Sequence, residues 1–232
     1  MTVRLGAPYG RRVPPLSLDQ AVDLTRTGDV WLFRGRTAAD RAIQLTTNSP
    51  VNHVGMSVVL EDLPPLMWHA ELGRSLPDVW SGTNQRGVQL HVLRDAVLTW
   101  GRRYGQQAWL RQLHLPAVPD GTEVPREMED ALLRTIARLD GTPFPSTARL
   151  AAGWVRGRLP GRRPEAGPTA GPALETAFCA EVVATSYQEM GLLPGDRGPS
   201  WYDPGRFWSG DGLPLAGGAT LGGEIPVDIP PL

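Results

Sequence analysis

At 232 residues the chain is long enough to bury a substantial core, as one large domain or two small ones. Its 23 Lys and Arg against 24 Asp and Glu give a formal charge of −1, which removes the electrostatic reason to expect nucleic acid or an anionic membrane as partner. The single cysteine cannot close an internal disulfide, so folding does not depend on an oxidising compartment.

Met1 to Pro15 carries Arg4, Arg11 and Arg12 but no apolar run of signal-peptide length, and nothing further on approaches the roughly 20 apolar residues that cross a bilayer. The expectation is a soluble cytoplasmic protein with no integral membrane segment, signal-independent export or a phage origin being the other routes. Ser17 starts a short helix to Leu24, with apolar residues at helical spacing. Gly28-Asp29 turns the chain into Val30-Trp31-Leu32-Phe33, read as a buried strand. A helix is expected over Thr37 to Leu45, ended by Asn48-Ser49-Pro50. Strands follow at His53 to Leu60 and Leu66 to Glu71, separated by a loop containing Pro64-Pro65.

Further strands are expected at Val88 to Leu93 and Gln107 to Leu113, with a short helix near Asp95 to Trp100 between them. Met128, Leu132, Leu133, Ile136 and Leu139 share one face of a helix over Pro125 to Leu139. Another helix is expected from Ser146 to Arg156. Arg158 to Pro172, rich in Gly, Pro and Arg, reads as a flexible insertion in a single domain spanning 1–232. The tail is loop-rich, with aromatic anchors at Trp201, Tyr202, Phe207 and Trp208 and a late strand over Gly223 to Ile229. Helices mixed with a cluster of strands in this order predict an α+β fold, a central antiparallel sheet packed against helices.

Cysteine attack on a carbonyl needs a thiolate, a base that makes it and a group that fixes the base's tautomer. Cys179 supplies the thiol. Thr176 is placed to cap its helix, which would put Cys179 in the first turn, where free N–H groups lower a thiol pKa and can hold an oxyanion. His53 is the best base, because a strand beginning Asn-His-Val-Gly-Met has no packing need for histidine, and Gly55 beside it allows close approach of a backbone or substrate. His69 on the next strand can orient His53. Glu71, on the same face by the period of two, is the alternative third member. A buried Cys or a strand His more often serves packing than chemistry, so spacing alone does not bring Cys179 to His53. His91 and His114 lie in strand-like runs with no second ligand type nearby, and no metal or other cofactor is expected. Trp31 and Trp68, next to the histidine strands, are candidates to line a substrate groove.

The blocks Gly28-Asp29-Val30-Trp31-Leu32-Phe33, Ser49-Pro50-Val51-Asn52-His53-Val54-Gly55-Met56, Trp68-His69-Ala70 and Phe178-Cys179-Ala180-Glu181-Val182-Val183 resemble those of the circularly permuted NlpC-type papain-like cysteine hydrolases. Asp203-Pro204-Gly205-Arg206-Phe207-Trp208 is similar to a segment that follows the nucleophile helix in permuted members. The resemblance implies a permuted papain-like α+β fold with Cys179 as nucleophile, His53 as base and His69 as orienting group. It implies an amide-cleaving cysteine hydrolase working through a thioester, on peptide or peptidoglycan-type substrates. The related lecithin retinol acyltransferase-like proteins suggest the alternative of a lipid-directed thiol acyltransferase or deacylase acting on acyl esters. A non-catalytic binding or structural module on the same fold is the reading from another class. Ala180 stands where many members have Ser, and the insertion at 158–172 has no counterpart in the family.

Overall fold

A computed structural model of the chain describes residues 14–35, 50–71, 75–116, 118, 124–143 and 172–231, the last segment with its side chains from Phe178 onward. The helices expected at 37–45 and 146–156 and the insertion at 158–172 lie outside these residues, save Pro172, which opens a helix.

Strand β1 (Leu16–Ser17) leads into helix α1 (Leu18–Asp23), whose N-cap Ser17 and Gln20 form a reciprocal capping box. β2 (Val30–Arg34), β3 (His53–Val58), β4 (Leu66–Glu71) and β5 (Gly87–Val92) follow, then α2 (Leu93–Tyr104), β6 (Gln107–Arg111) and β7 (Leu113–His114). Helix α3 (Arg126–Leu139) precedes α4 (Pro172–Glu189), a tail with short 3-10 turns, β8 (Thr220–Leu221) and β9 (Ile225–Asp228). The main sheet has the order β1-β9-β6-β2-β3-β4-β5, antiparallel throughout except where β1 runs parallel to β9. The α+β class is as expected, with a mixed sheet in place of a purely antiparallel one. α2 runs longer at both ends than the short helix expected there. The strand expected over Gln107 to Leu113 is broken at Gln112, after which Leu113 and His114 pair with the tail.

Period-two alternation sends successive side chains of each strand to opposite faces of the sheet. On one face Val30, Leu32, Val54, Met56, Trp68 and Leu90 meet Cys179, Val183 and Tyr187 of α4, with Leu132 and Ile136 of α3 behind. On the other, Trp31, Phe33 and Met67 meet Leu93, Val97 and Trp100 of α2 and Leu18 of α1. Trp31 and Trp68 are both wholly buried and hydrogen-bonded, Trp31 Nε1 to Thr25 Oγ1 and Trp68 Nε1 to Ser186 Oγ, at 3.0 Å each. Neither lines a groove: the alternation that puts each on a strand also seals it under a helix.

The Gly28-Asp29 turn is structural. Gly28 has φ +88°, and a Cβ there would lie 2.8 Å from Leu113 Cδ2. The fully buried Asp29 carboxylate accepts the N–H of Leu113 at 2.8 Å and of Arg26 at 2.9 Å, joining the start of β2 to β7. The buried Arg111 guanidinium donates to the carbonyls of Phe207, Leu221 and Gly222, fixing the tail against β6. No helix among the described residues is long and apolar enough to cross a membrane.

Candidate active site

His53, Gly55 and Ser57 of β3 alternate with Val54, Met56 and Val58, so His53 turns to the α2 face. Met67, His69 and Glu71 of β4 share that face, and the register pairs Met67 with His91, His69 with Gln89 and Glu71 with Gly87. Three strands therefore deliver a buried polar row into an otherwise apolar layer. His53 Nε2 lies 3.1 Å from His69 Nδ1, and His69 Nε2 lies 2.9 Å from His91 Nδ1. The rings meet edge to face, at 77° and 78°. Trp100 of α2 covers the row, its ring centroid 3.7 Å from that of His53 and 5.7 Å from that of His69.

Gly55 makes the His53–His69 contact possible. A Cβ at this position would sit 2.3 Å from Met67 Sδ and 3.3 Å from His69 Cβ, inside van der Waals distance of both. The protein atoms nearest that point are side-chain atoms of β4.

The structure joins His69 to His53, while Ser75 Oγ donates to both carboxylate oxygens of Glu71 at 3.1 Å. His91 is the residue that sequence reasoning missed. Its partner becomes visible only with the register of β4 against β5, which places it diagonal to His69; the interval of 22 residues between the two carries no such signal.

His69, Glu71 and His91 each offer a donor atom within 4.8 Å of the others, and all three are buried. By donor type they could hold a divalent ion. Both His69 nitrogens also lie within hydrogen-bond distance of imidazoles, and Ser75 Oγ donates to the Glu71 carboxylate.

Burial holds all three imidazoles neutral. Desolvation pushes His53 and His69 well below the ordinary 6.5, the neighbouring imidazoles adding to the effect at His69. Desolvation also lowers His91, to about 4, opposed by the Asp78 carboxylate and the Leu76 carbonyl. The unfolded chain takes up these protons below pH 6.5 and the native one does not. Their contribution to stability is thus complete above that pH and is lost as pH falls toward the native values. Asp29 and Asp140, raised by burial to about 6, and Glu181, raised by burial to about 7, work in the opposite sense. Each binds its proton in the native state first, so their contribution is lost as pH rises through those values. The two sets of groups oppose one another between pH 6 and 4, and the histidine part is isolated by a variant. The unfolding free energy of the wild type minus that of His91→Gln is expected to fall by about 2 kcal/mol in all from pH 6 to 4, measured by urea titration at each pH. A constant difference would show that His91 is not held neutral.

Cys179 lies within α4, which begins at Pro172, so it is the eighth residue of the helix and Thr176 is inside the helix, not at its cap. The N–H of a residue this deep belongs to the helical ladder, and the first-turn effects expected of Cys179 do not reach it. The helix extends back over Ala173 to Phe178 because that run holds no Gly or Pro to stop it. Cys179 is wholly buried in the cluster that contains Val54 and Met56, whereas His53 faces Trp100 and Phe33. The two residues thus belong to elements in direct packing, α4 against β3, but flank β3 from either side.

At the N-terminal end of β3 lies a cleft of about 360 Å³, lined by Pro50, Asp203, Gly205, Arg206, Trp208 and Asp211. The segment with family resemblance, Asp203 to Trp208, thus forms one wall. Phe207 anchors it, fully buried against Tyr187 and Tyr202. Arg206 stacks 4.3 Å over Trp201 and pairs with Asp211 at 2.9 Å.

No family model matches the chain, and no curated protein matches it. Among solved structures it is similar to the crystal structure of metalloprotein yiiX from Escherichia coli O157:H7, described as DUF1105, with a TM-score of 0.42 and 20% identity. The match covers 72% of this chain and spans 66% of that protein's length.

Proposed function

We propose that the protein is a cysteine hydrolase of the permuted NlpC-type papain-like fold, cleaving an amide bond in a peptide or peptidoglycan-type substrate. The observation that carries the reading is the buried His53 Nε2···His69 Nδ1 contact of 3.1 Å, a base with its orienting partner on neighbouring strands. An imidazole kept neutral by burial can accept a thiol proton at neutral pH, which an already protonated one cannot.

In this reading His53 takes the proton of Cys179 and the thiolate attacks the substrate carbonyl. His53 then returns the proton to the leaving amine, and water resolves the thioester. Cys179 and His53 lie on opposite faces of β3, so the reading requires them to approach one another around its first residues, at the end where Pro50 lines the cleft. The polar wall of that cleft, with Arg206 and Asp211, suits a peptide-like substrate better than the long acyl chain that the acyltransferase alternative requires.

The test is intact-mass analysis of the protein after incubation with panels of peptidoglycan-type peptides and of long-chain acyl esters. A peptide-derived acyl adduct on Cys179 is expected. An adduct from the ester panel alone would make the protein a lipid-directed thiol acyltransferase or deacylase, and no adduct from either panel would favour the binding module.

A further inference from the structure

The row of imidazoles does not end at His69. Two ring-to-ring hydrogen bonds, at 3.1 and 2.9 Å, link His53, His69 and His91, and each needs one proton between its nitrogens. A neutral imidazole carries one proton, so the row has two self-consistent arrangements. In the first every ring is protonated on Nε2: His53 donates to His69 and His69 donates to His91. In the second every ring is protonated on Nδ1 and both bonds point the other way. The two differ at the ends, where His53 Nδ1 is bare in the first and bears a proton in the second.

The far end decides between them. His91 is wholly buried, its Nδ1 is taken by His69, and its Nε2 has no hydrogen-bond partner among the described residues. The segment from Leu76 to Val79 runs beside β5 next to His91, Asp78 accepting the N–H of Leu90 and Val79 donating to the Leu90 carbonyl at 2.8 Å. The Leu76 carbonyl and the Asp78 carboxylate both favour a proton on the ring. Asp78 is itself fixed and buried, accepting the N–H groups of Leu90 at 2.9 Å, Ser81 at 2.7 Å and Trp80 at 3.1 Å. With Nδ1 taken by His69, Nε2 is the nitrogen left to carry the proton that these acceptors favour. A bare lone pair there would face oxygen, whereas an N–H is attracted to it. At the near end His53 keeps 5% exposure against 1% for His69 and 0% for His91, so it is the member that exchanges protons with its surroundings.

We propose that His91 is a positioning residue: by accepting the Nε2–H of His69 while its own Nε2–H faces Leu76 and Asp78, it sets the tautomer of the whole row and leaves His53 Nδ1 as a bare base. The role of His53 as base rests on the hydrolase reading, but the tautomer order does not. The orienting function given to His69 alone is therefore shared by two residues, and the fixed reference is the loop that carries Leu76 and Asp78.

The test is a long-range proton–nitrogen correlation spectrum of the histidine rings in the uniformly ¹⁵N-labelled full chain at neutral pH, for wild type, His91→Phe and His91→Asn. In the wild type all three rings are expected as Nε2–H tautomers. A phenyl ring offers no acceptor, so in His91→Phe the protons of His69 and His53 are expected to shift to Nδ1 or to divide between the two nitrogens. In His91→Asn the side-chain oxygen takes the place of Nδ1 and is expected to restore the wild-type pattern. A wild-type His53 protonated on Nδ1 would overturn the proposal, and so would a His53 tautomer unchanged in a folded His91→Phe. Should His91→Phe fail to fold, the wild-type spectrum alone decides. Because no turnover is involved, the expected tautomers combined with a Cys179 indifferent to His53 would count against the hydrolase reading and leave the role of His91 standing.

Discussion

Cys179→Ala and His53→Ala are each expected to lower turnover of a peptide-type amide substrate by about a thousand-fold or more, because nucleophile and base act as one unit. Alanine at 179 leaves no atom to form the acyl-enzyme. Alanine at 53 removes the base of the proposed mechanism, and Cys179 lies beyond the first turn of α4. His69→Ala should leave measurable activity, since His53 remains and loses only its partner at 3.1 Å. Glu71→Gln should stay close to wild type, because Glu71 is bonded to Ser75, while His69→Gln should be impaired. Steady-state kinetics of these variants on one substrate check this order. Full activity in Cys179→Ala would eliminate the mechanism.

The second large effect concerns stability. Asp29→Leu is expected to cost about 3–5 kcal/mol, measured as the loss of unfolding free energy in urea at pH 7. The leucine side chain has the bulk of the carboxylate but accepts nothing, so the N–H groups of Leu113 and Arg26 would be left buried and unpaired. Each such orphan costs roughly 1–3 kcal/mol. Asp29→Asn retains one acceptor oxygen and should cost less than half as much. A loss below about 1 kcal/mol for Asp29→Leu would mean that the turn relaxes and finds other partners. The position matters to the site because Asp29 starts the strand whose Phe33 packs against the His53 ring, at 5.8 Å.

How much of this is legible in the sequence differs by element. Period-two and helical patterns locate β2, β3, β4 and α3, since each depends on local spacing alone. The pairing of His53 with His69 is legible as well, because consecutive strands joined by a short loop pair with one another. His91 is not, since its place beside His69 depends on the register of β4 against β5, a non-local quantity. The role of Trp100 is hidden for the same reason, as nothing in α2 says which strand it will cover. The start of α4 misleads because Thr176 has the chemistry of an N-cap while the residues before it are equally good helix formers, and continuation of the helix wins. Trp31 and Trp68 stand on the expected strands but are buried where a groove was expected, since sequence does not tell a sealed face from an open one.

Cys179 sits in apolar surroundings, inside a helix and away from its first turn, and neither condition stabilises a thiolate. In the proposed mechanism the activation of the thiol is assigned to His53. The rate of Cys179 alkylation by iodoacetamide across pH, in wild type and in His53→Ala, measures that link directly. The account predicts that the wild-type thiol is alkylated faster at neutral pH than the thiol of His53→Ala, because a neutral His53 accepts the proton as the sulfur attacks. A slow thiol of ordinary titration, the same in both proteins, would contradict it.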